Sequence, residues 1–315
     1  MPTSLTRVRT VAGHTLAAML ISTAALAAQE ADSRDPAADL VKQAQERIRE
    51  GRFDEALALD RRALAAAPGW FQANSQAGAV LDLLGRHDEA RQHLARAIDA
   101  APTPPAKARA LRSMAVSYAF QSDCRGATPY EQQAYDAYLT AADFYSAGEA
   151  ADELARICLE AGDLDAAARW YRTGYETGLR EPGIEPARKD LWAFRWEHAQ
   201  ARLAARRGDR AAAERHVRAA TAILERGTNP DQRVFLPYLT GYVALYAGDA
   251  RTALADLQQA NQNDPFILCL IAQAYEKLDD AARAQEYYRK ALARAVTHNP
   301  PTAYARPLAE KQLGR

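Results

Sequence analysis

The apolar positions of this chain follow the spacing of α-helices, and no stretch shows the alternation of apolar and polar residues that is typical of a strand. Small residues recur at fixed places in this pattern. Seven of them serve as anchors: Ala56, Ala90, Ala127, Ala167, Ala213, Ala253 and Ala284. Further small residues lie twelve positions before and seven positions after each anchor. This arrangement predicts two helices that pack closely against each other, repeated seven times.

A residue that suits a tight turn lies five positions before each anchor. These residues are Gly51, Gly85, Ser122, Gly162, Gly208, Gly248 and Asp279. Glycine makes up only 16 of the 315 residues. Seven arbitrary positions would therefore hold about 0.4 glycines, whereas five are glycine here. We expect a positive φ at these positions, because a helix commonly ends with a residue in the left-handed region.

Three runs across these turns resemble the tetratricopeptide repeat, namely residues 51–56, 85–90 and 162–167. The small residues agree with that family, and so do the closing prolines Pro68, Pro102 and Pro265. The resemblance covers roughly residues 37 to 296. The distance between anchors varies from 31 residues to 46, so we expect lengthened helices and loops between repeats rather than missing repeats.

The resemblance implies an all-α fold, a tetratricopeptide-repeat-like α-solenoid of about seven helix hairpins over residues 37–298. Residues 299–315 follow as a separate C-terminal piece. They can form one more helix, with Tyr304, Leu308 and Leu313 as its apolar residues. We expect this helix to cap the exposed face of the last repeat.

The first residues resemble a secretory signal. A basic start is followed by an apolar run from Val11 to Leu26, and Ala25 and Ala27 supply the small residues that a signal peptidase reads. We expect cleavage after Ala27, a linker at 28–36, and a periplasmic or secreted protein. The alternatives are an uncleaved anchor and an ordinary first helix. No cysteine follows the cleavage site, so we do not expect a lipid anchor.

The numbers of acidic and basic residues indicate which kinds of partner the protein can bind. Removal of residues 1–27 takes away two of the 40 basic residues and none of the 40 acidic ones, which leaves a formal charge of −2. This balance argues against nonspecific binding of nucleic acid, which needs a dense basic surface. No second apolar stretch is long enough to span a bilayer, so we expect no membrane span after cleavage.

Three cysteines remain, at Cys124, Cys158 and Cys269. Cys124 and Cys158 fall at the same end of the predicted stack, so a disulfide between them is geometrically conceivable. The simpler interpretation, which we adopt as the expectation, is that all three are small buried thiols.

The resemblance also implies where a partner would lie. First helices line the concave side, at the second, fifth, ninth, twelfth and thirteenth positions of each repeat. These positions are acidic in repeat four, basic in repeat five and aromatic in repeat six. Rings beside arginines are typical of binding hot spots. The predicted partner-binding residues are Arg195, His198, Arg202, Arg206, Phe235, Tyr238, Tyr242 and Tyr246.

Two other interpretations of these residues stay open. The tyrosines can pack against the next repeat, and the arginines can form a solvated face or pair with the acidic residues of repeat four. One binding mode of the family, a grip on a chain-terminal carboxylate, is not implied. Its positions here are Val41, Gln45, Gln76, Arg109 and Ser113, of which only Arg109 keeps the chemistry.

No catalytic motif is present: the sequence has no phosphate-binding loop, zinc helix or nucleophile elbow. We therefore expect no enzyme activity, no cofactor and no metal. The predicted function is a noncatalytic scaffold that holds a segment of another protein or a peptide on a concave surface. The alternatives are a stable subunit of a cell-envelope assembly complex and an enzyme with its site in the groove.

Overall fold

A computed structural model describes residues 36–314, and this range forms fifteen α-helices, one 3₁₀ helix and no strand. The all-α prediction is therefore confirmed. The predicted signal peptide, 1–27, and residues 28–35 of the predicted linker lie outside the described residues. The helices are α1 (36–49), α2 (Phe53–Ala66), α3 (Phe71–Leu83), α4 (His87–Asp99), α5 (Pro104–Ala119), α6 (Cys124–Thr140), α7 (Phe144–Ala161), α8 (Leu164–Gly178), α9 (Pro186–Arg206), α10 (Arg210–Glu225), the 3₁₀ helix (Pro230–Phe235), α11 (Leu236–Tyr246), α12 (Ala250–Leu257), α13 (Pro265–Lys277), α14 (Ala281–Arg294) and α15 (Pro300–Gln312).

The helices pair in chain order into seven hairpins, from α1–α2 (repeat one) to α13–α14 (repeat seven), and α15 follows the last pair. Each hairpin packs on the next, as in a helical solenoid. The long spacings between anchors are taken up by long helices. The longest of the described helices, α9, has 21 residues, whereas α3 and α4 have 13 each.

The turn inside every hairpin has the predicted conformation. All seven turn residues have a positive φ, between 54° and 90°, including the non-glycine residues Ser122 and Asp279. The residue after each of them donates its backbone N–H to the carbonyl five residues earlier, at 2.8 to 3.1 Å. This hydrogen bond satisfies a carbonyl at the end of the first helix.

The same turn also starts the second helix. In five hairpins the residue after the turn is an aspartate whose carboxylate accepts a backbone N–H in the first turn of the next helix. These residues are Asp123, Asp163, Asp209, Asp249 and Asp280. Such a cap stabilises a helix by about 1 kcal/mol. A turn residue with positive φ therefore ends one helix, and the aspartate that follows it begins the next.

Small residues let neighbouring helices approach closely where a large side chain must fit between them. Trp192 of α9 is fully buried between Gly148 of α7 and Gly178 of α8. A Cβ added to Gly178 would lie 2.0 Å from the indole ring, and one added to Gly148 would lie 2.5 Å from it. The two glycines thus shape the slot in which repeat five docks on repeat four.

The C-terminal helix does more than cover the last repeat. It packs on α13 and α14, and it also reaches α5 and α7 in the first half of the chain. His298, just before α15, lies 2.9 Å from the buried carboxylate of Asp82 on α3, which also binds Ser117 and His87. The guanidinium of Arg306 lies over the ring of Phe53. The end of the chain therefore crosses the inner side of the solenoid and joins its two halves.

Our expectation for the cysteines was wrong for two of the three. Cys124 and Cys158 form a disulfide, and only Cys269 is a free, buried thiol among the described residues. The parallel stacking of repeats three and four explains the pairing. It brings the start of α6 next to the end of α7, with the two Cα atoms 4.7 Å apart.

We predict that Gly178→Ala lowers the free energy of unfolding by about 1–3 kcal/mol, because the added methyl group overlaps the buried ring of Trp192. Chemical denaturation followed by circular dichroism measures this difference. Gly69→Ala is the matched control, since nothing lies within 4 Å of its added Cβ and its φ is not positive. Equal stability of the two variants would contradict the close packing.

The disulfide determines how many cysteine thiols can react in the denatured protein. The denatured, unreduced protein should expose one reactive thiol, from Cys269, and the reduced protein should expose three. Cys158→Ser should lower the free energy of unfolding by about 3–4 kcal/mol, since the bond closes a loop across a separation of 34 residues. Three thiols without reductant would show that the bond does not form.

Candidate functional site

The inner side of the solenoid holds a cavity of about 940 Å³, which lies in the size range of ligand sites. First helices α7, α9 and α11 form its floor, and the 3₁₀ helix and the loop before α13 form one rim. Pro300 and Pro301, at the start of α15, also line the cavity. The returning C-terminal helix thus converts an open groove into a partly enclosed site.

Five of the eight predicted partner-binding residues line this cavity, and three do not. The lining residues are Arg195, His198, Arg202, Phe235 and Tyr238, and the others are Arg206, Tyr242 and Tyr246. The second-position and fifth-position residues of repeats four, five and six all line the cavity, and so do the ninth-position residues Arg156 and Arg202 of repeats four and five. The helical spacing of the concave positions therefore brought these side chains together.

Arg206, Tyr242 and Tyr246 form a separate cluster. The Nη1 atom of Arg206 lies 3.1 Å from Glu160 Oε2 and donates to Tyr242 Oη at 3.3 Å. The rings of Tyr242 and Tyr246 are 4.6 Å apart. Tyr242 is fully buried. These contacts join repeats four, five and six, so Tyr242 contributes to packing and is not accessible to a partner.

Two cavity arginines have a carboxylate partner. Arg195 of α9 lies 3.0 Å from Glu149 of α7, and Arg112 of α5 lies 2.7 Å from Glu153 of α7. The alternative in which the arginines of repeat five pair with the acids of repeat four therefore holds for Arg195 and, outside the cavity, for Arg206. These pairs hold the first helices of adjacent repeats side by side.

The other two cavity arginines have no such partner. Within residues 36–314, neither Arg156 nor Arg202 has a carboxylate oxygen within 4 Å. The guanidinium of Arg202 lies over the ring of Tyr171 at 5.5 Å, and its Nε donates to the carbonyl of His198 at 3.4 Å. The terminal nitrogen atoms of Arg202 remain free to bind a group in the cavity.

Polar atoms without a partner cluster around these arginines. They are Arg156 Nε, Tyr171 Oη, His198 Nε2, Tyr238 Oη and Tyr304 Oη, all buried and without a hydrogen bond in the described part of the chain. A buried polar group that lacks a partner costs about 1–3 kcal/mol. Such a cluster is typical of a site that is completed by a ligand.

Burial also shifts two titrations here. It raises the pKa of Asp152 to about 7, against the opposing effect of Arg195 and Arg202. Burial and the nearby charges of Arg202 and Arg156 hold the pKa of His198 well below its usual value, so the imidazole is neutral at physiological pH. The floor of the cavity therefore carries positive charge from arginine and not from histidine.

The rim is apolar and exposed. Phe235 is 46% exposed and Val234 is 64% exposed, both on the 3₁₀ helix. Exposed large apolar side chains beside a cavity indicate a contact surface.

The sequence pattern identified Phe235 as a binding residue but did not identify Val234, Tyr171 or Arg156. Arg156 was visible as a concave position of repeat four, but its lack of a partner depends on contacts between helices.

Neither a metal site nor a membrane span is found among the described residues. In residues 36–314, no group of three or more His, Cys, Asp or Glu side chains could hold a metal ion. None of the described helices combines the length and the apolar character needed to cross a bilayer.

We predict that Asp152 makes stability depend on pH. The folded state keeps the proton of Asp152 up to about pH 7, whereas the unfolded chain loses it near pH 4. The free energy of unfolding should therefore fall by up to about 1 kcal/mol per unit as pH rises from 4 to 7 because of this group. Asp152→Asn should remove this part of the slope in denaturation curves at several pH values. Identical slopes for both proteins would contradict the pKa shift.

Comparison with known proteins agrees with this architecture. Residues 71–140 and residues 267–295 each match a sequence model described as tetratricopeptide repeat. No curated protein matches the sequence.

The chain is also similar to solved structures. A tetratricopeptide repeat protein from Parabacteroides merdae ATCC 43184 superposes with a TM-score of 0.50 at 15% identity, over 81% of this chain and 91% of that one. The Rap conjugation gene regulator of plasmid pLS20, in complex with the Phr* peptide, gives a TM-score of 0.46 at 14% identity, over 81% of this chain and 72% of that one.

Proposed function

Because this chain is a tetratricopeptide repeat protein, we propose that it is a noncatalytic scaffold that holds a short segment of another protein in its inner cavity. The observation that carries this proposal is the cavity itself. Its rim is apolar and exposed, and its floor contains buried polar atoms without partners. A bound segment would cover the first and satisfy the second.

The composition of the cavity supports binding rather than catalysis. Its described lining contains no serine, threonine, cysteine or lysine side chain that could act as a nucleophile. The one histidine, His198, is held neutral between arginines and has no carboxylate to orient it. The described lining therefore lacks a hydroxyl or thiol nucleophile activated by a carboxylate-oriented histidine.

We further propose that the protein works outside the cytoplasm, in the periplasm or after secretion. The apolar N-terminal run supports export. The disulfide between Cys124 and Cys158 supports it independently, since disulfides persist mainly in oxidising compartments. The alternative, a stable subunit of a cell-envelope assembly complex, would use the same cavity with a permanent partner.

Site-specific photocrosslinking tests the scaffold proposal. A photoreactive phenylalanine analogue in place of Phe235, on the rim, should form an adduct with one protein in cell-envelope extract. Peptide mapping should place that adduct in one short segment. A synthetic peptide of the segment should bind the purified chain and block the crosslink. The matched control carries the analogue in place of Arg215, which is exposed on α10 and is not a cavity residue.

The outcomes separate the alternatives. A salt-sensitive adduct at low yield indicates a transient partner, and a stoichiometric one indicates a stable complex. Equal adducts from both positions, or a synthetic peptide that neither binds nor competes, would contradict the proposal that the cavity holds a partner.

A further inference from the structure

We propose that the floor of the cavity is an anion site in which Arg156 and Arg202 together bind one carboxylate of the held segment. This inference rests on the proposed function, since the carboxylate belongs to the bound protein segment. The two arginines come from the first helices of neighbouring repeats, α7 and α9, and both line the cavity.

Arg156 is held in place by rings rather than by a counter-ion. Its guanidinium carbon lies 5.9 Å from the ring centroid of Tyr238, 5.7 Å from that of Phe266 and 5.4 Å from that of Tyr304. These rings belong to α11, α13 and α15. Cation–π contacts orient an arginine without using its N–H donors. The fork of Arg156 therefore remains able to bind an anion.

Arg202 is the more buried of the two, with 6% of its surface exposed. Arg156 and Arg202 repel each other electrostatically. Two like charges inside one site favour the binding of an anion between them. The structure neutralises three neighbouring arginines, Arg112, Arg195 and Arg206, with carboxylates of its own. The two that it leaves without one face the same cavity.

Two tyrosine hydroxyls complete the donor set. Tyr171 is 3% exposed and Tyr238 is 6% exposed, both line the cavity, and neither hydroxyl has a partner among the described residues. Tyr171 lies under Arg202, and Tyr238 lies beside Arg156. A carboxylate has about four acceptor positions and can therefore accept from both arginines and a hydroxyl at once.

The remaining charges favour a carboxylate over a phosphate. Four arginines and four acids line the cavity: Arg112, Arg156, Arg195, Arg202, Glu149, Asp152, Glu153 and Asp264. Two arginines pair with Glu149 and Glu153, while the carboxylate of Asp264 accepts backbone N–H groups at the start of α13. With the carboxylate of Asp264 close to Arg156, a site with two free arginines suits a single negative charge better than two.

A peptide library provides the test. Random dodecapeptides are selected for binding to the full chain, and those that block the Phe235 crosslink are kept. We expect an acidic residue or a free C-terminus next to an apolar residue in each of them. Replacing Glu by Gln, or amidating the C-terminus, distinguishes a side-chain carboxylate from a terminal one. The change that removes the bound carboxylate should weaken binding roughly tenfold to a hundredfold.

Variants of the protein locate the partner of that carboxylate. Arg156→Gln and Arg202→Gln should each weaken binding of the acidic peptide by a similar factor. In either variant, the Glu-to-Gln change in the peptide should then cost less than about twofold. Arg207→Gln, directly after α9 and outside the cavity, is the matched control. The peptide variants leave the protein unchanged, so the test holds even if an arginine variant fails to fold.

The outcomes distinguish failure of this inference from failure of the proposed function. Competing peptides that keep their affinity after loss of every carboxylate would overturn this inference and leave the proposed function standing. The inference would also be overturned if the Glu-to-Gln change in the peptide lowered affinity equally for the wild-type protein and for the Arg202→Gln variant. A library without any competing peptide would overturn both.

Discussion

The close approach of neighbouring helix backbones is the constraint on which the rest of this structure depends. Small residues at the anchors allow it within hairpins, and Gly148 and Gly178 allow it around Trp192 between repeats four and five. Each hairpin leaves one face apolar and buries it on the next hairpin. The concave side of α7, α9 and α11 is therefore held in a fixed register, and polar side chains from three repeats meet in one cavity.

The C-terminal helix adds a long-range contact to an architecture that is otherwise built from neighbours. Its start is fixed to Asp82 through His298, and Tyr304 reaches Arg156 in the middle of the chain. Because α15 contacts the last hairpin as well as α5 and α7, opening the solenoid would break contacts between the C-terminal end of the chain and its middle repeats. The cavity is thus a property of the whole solenoid and not of a single repeat.

The sequence was sufficient for the architecture because local rules determine it. A positive φ was predicted for the turn residue before each anchor, including Ser122 and Asp279, from its position in the repeat pattern alone, and the structure has it at all seven. The sequence was less informative for the residues of the site. The concave positions Arg202 and Tyr238 followed from helical spacing, but the burial of Tyr242 and the pairing of Arg195 depend on how adjacent repeats are offset. The return of the C-terminal segment onto α3 and α5 has no local signal, since it joins residues as far apart in the chain as His298 and Asp82.

Hydrogen–deuterium exchange of the full chain, with and without its bound segment, tests the central claim that the inner side of the solenoid is the binding surface. The account predicts slower exchange in α7, α9, the 3₁₀ helix and the start of α15, and little change in α10 and α12. Protection confined to those second helices would place the partner on the outer surface and contradict the account.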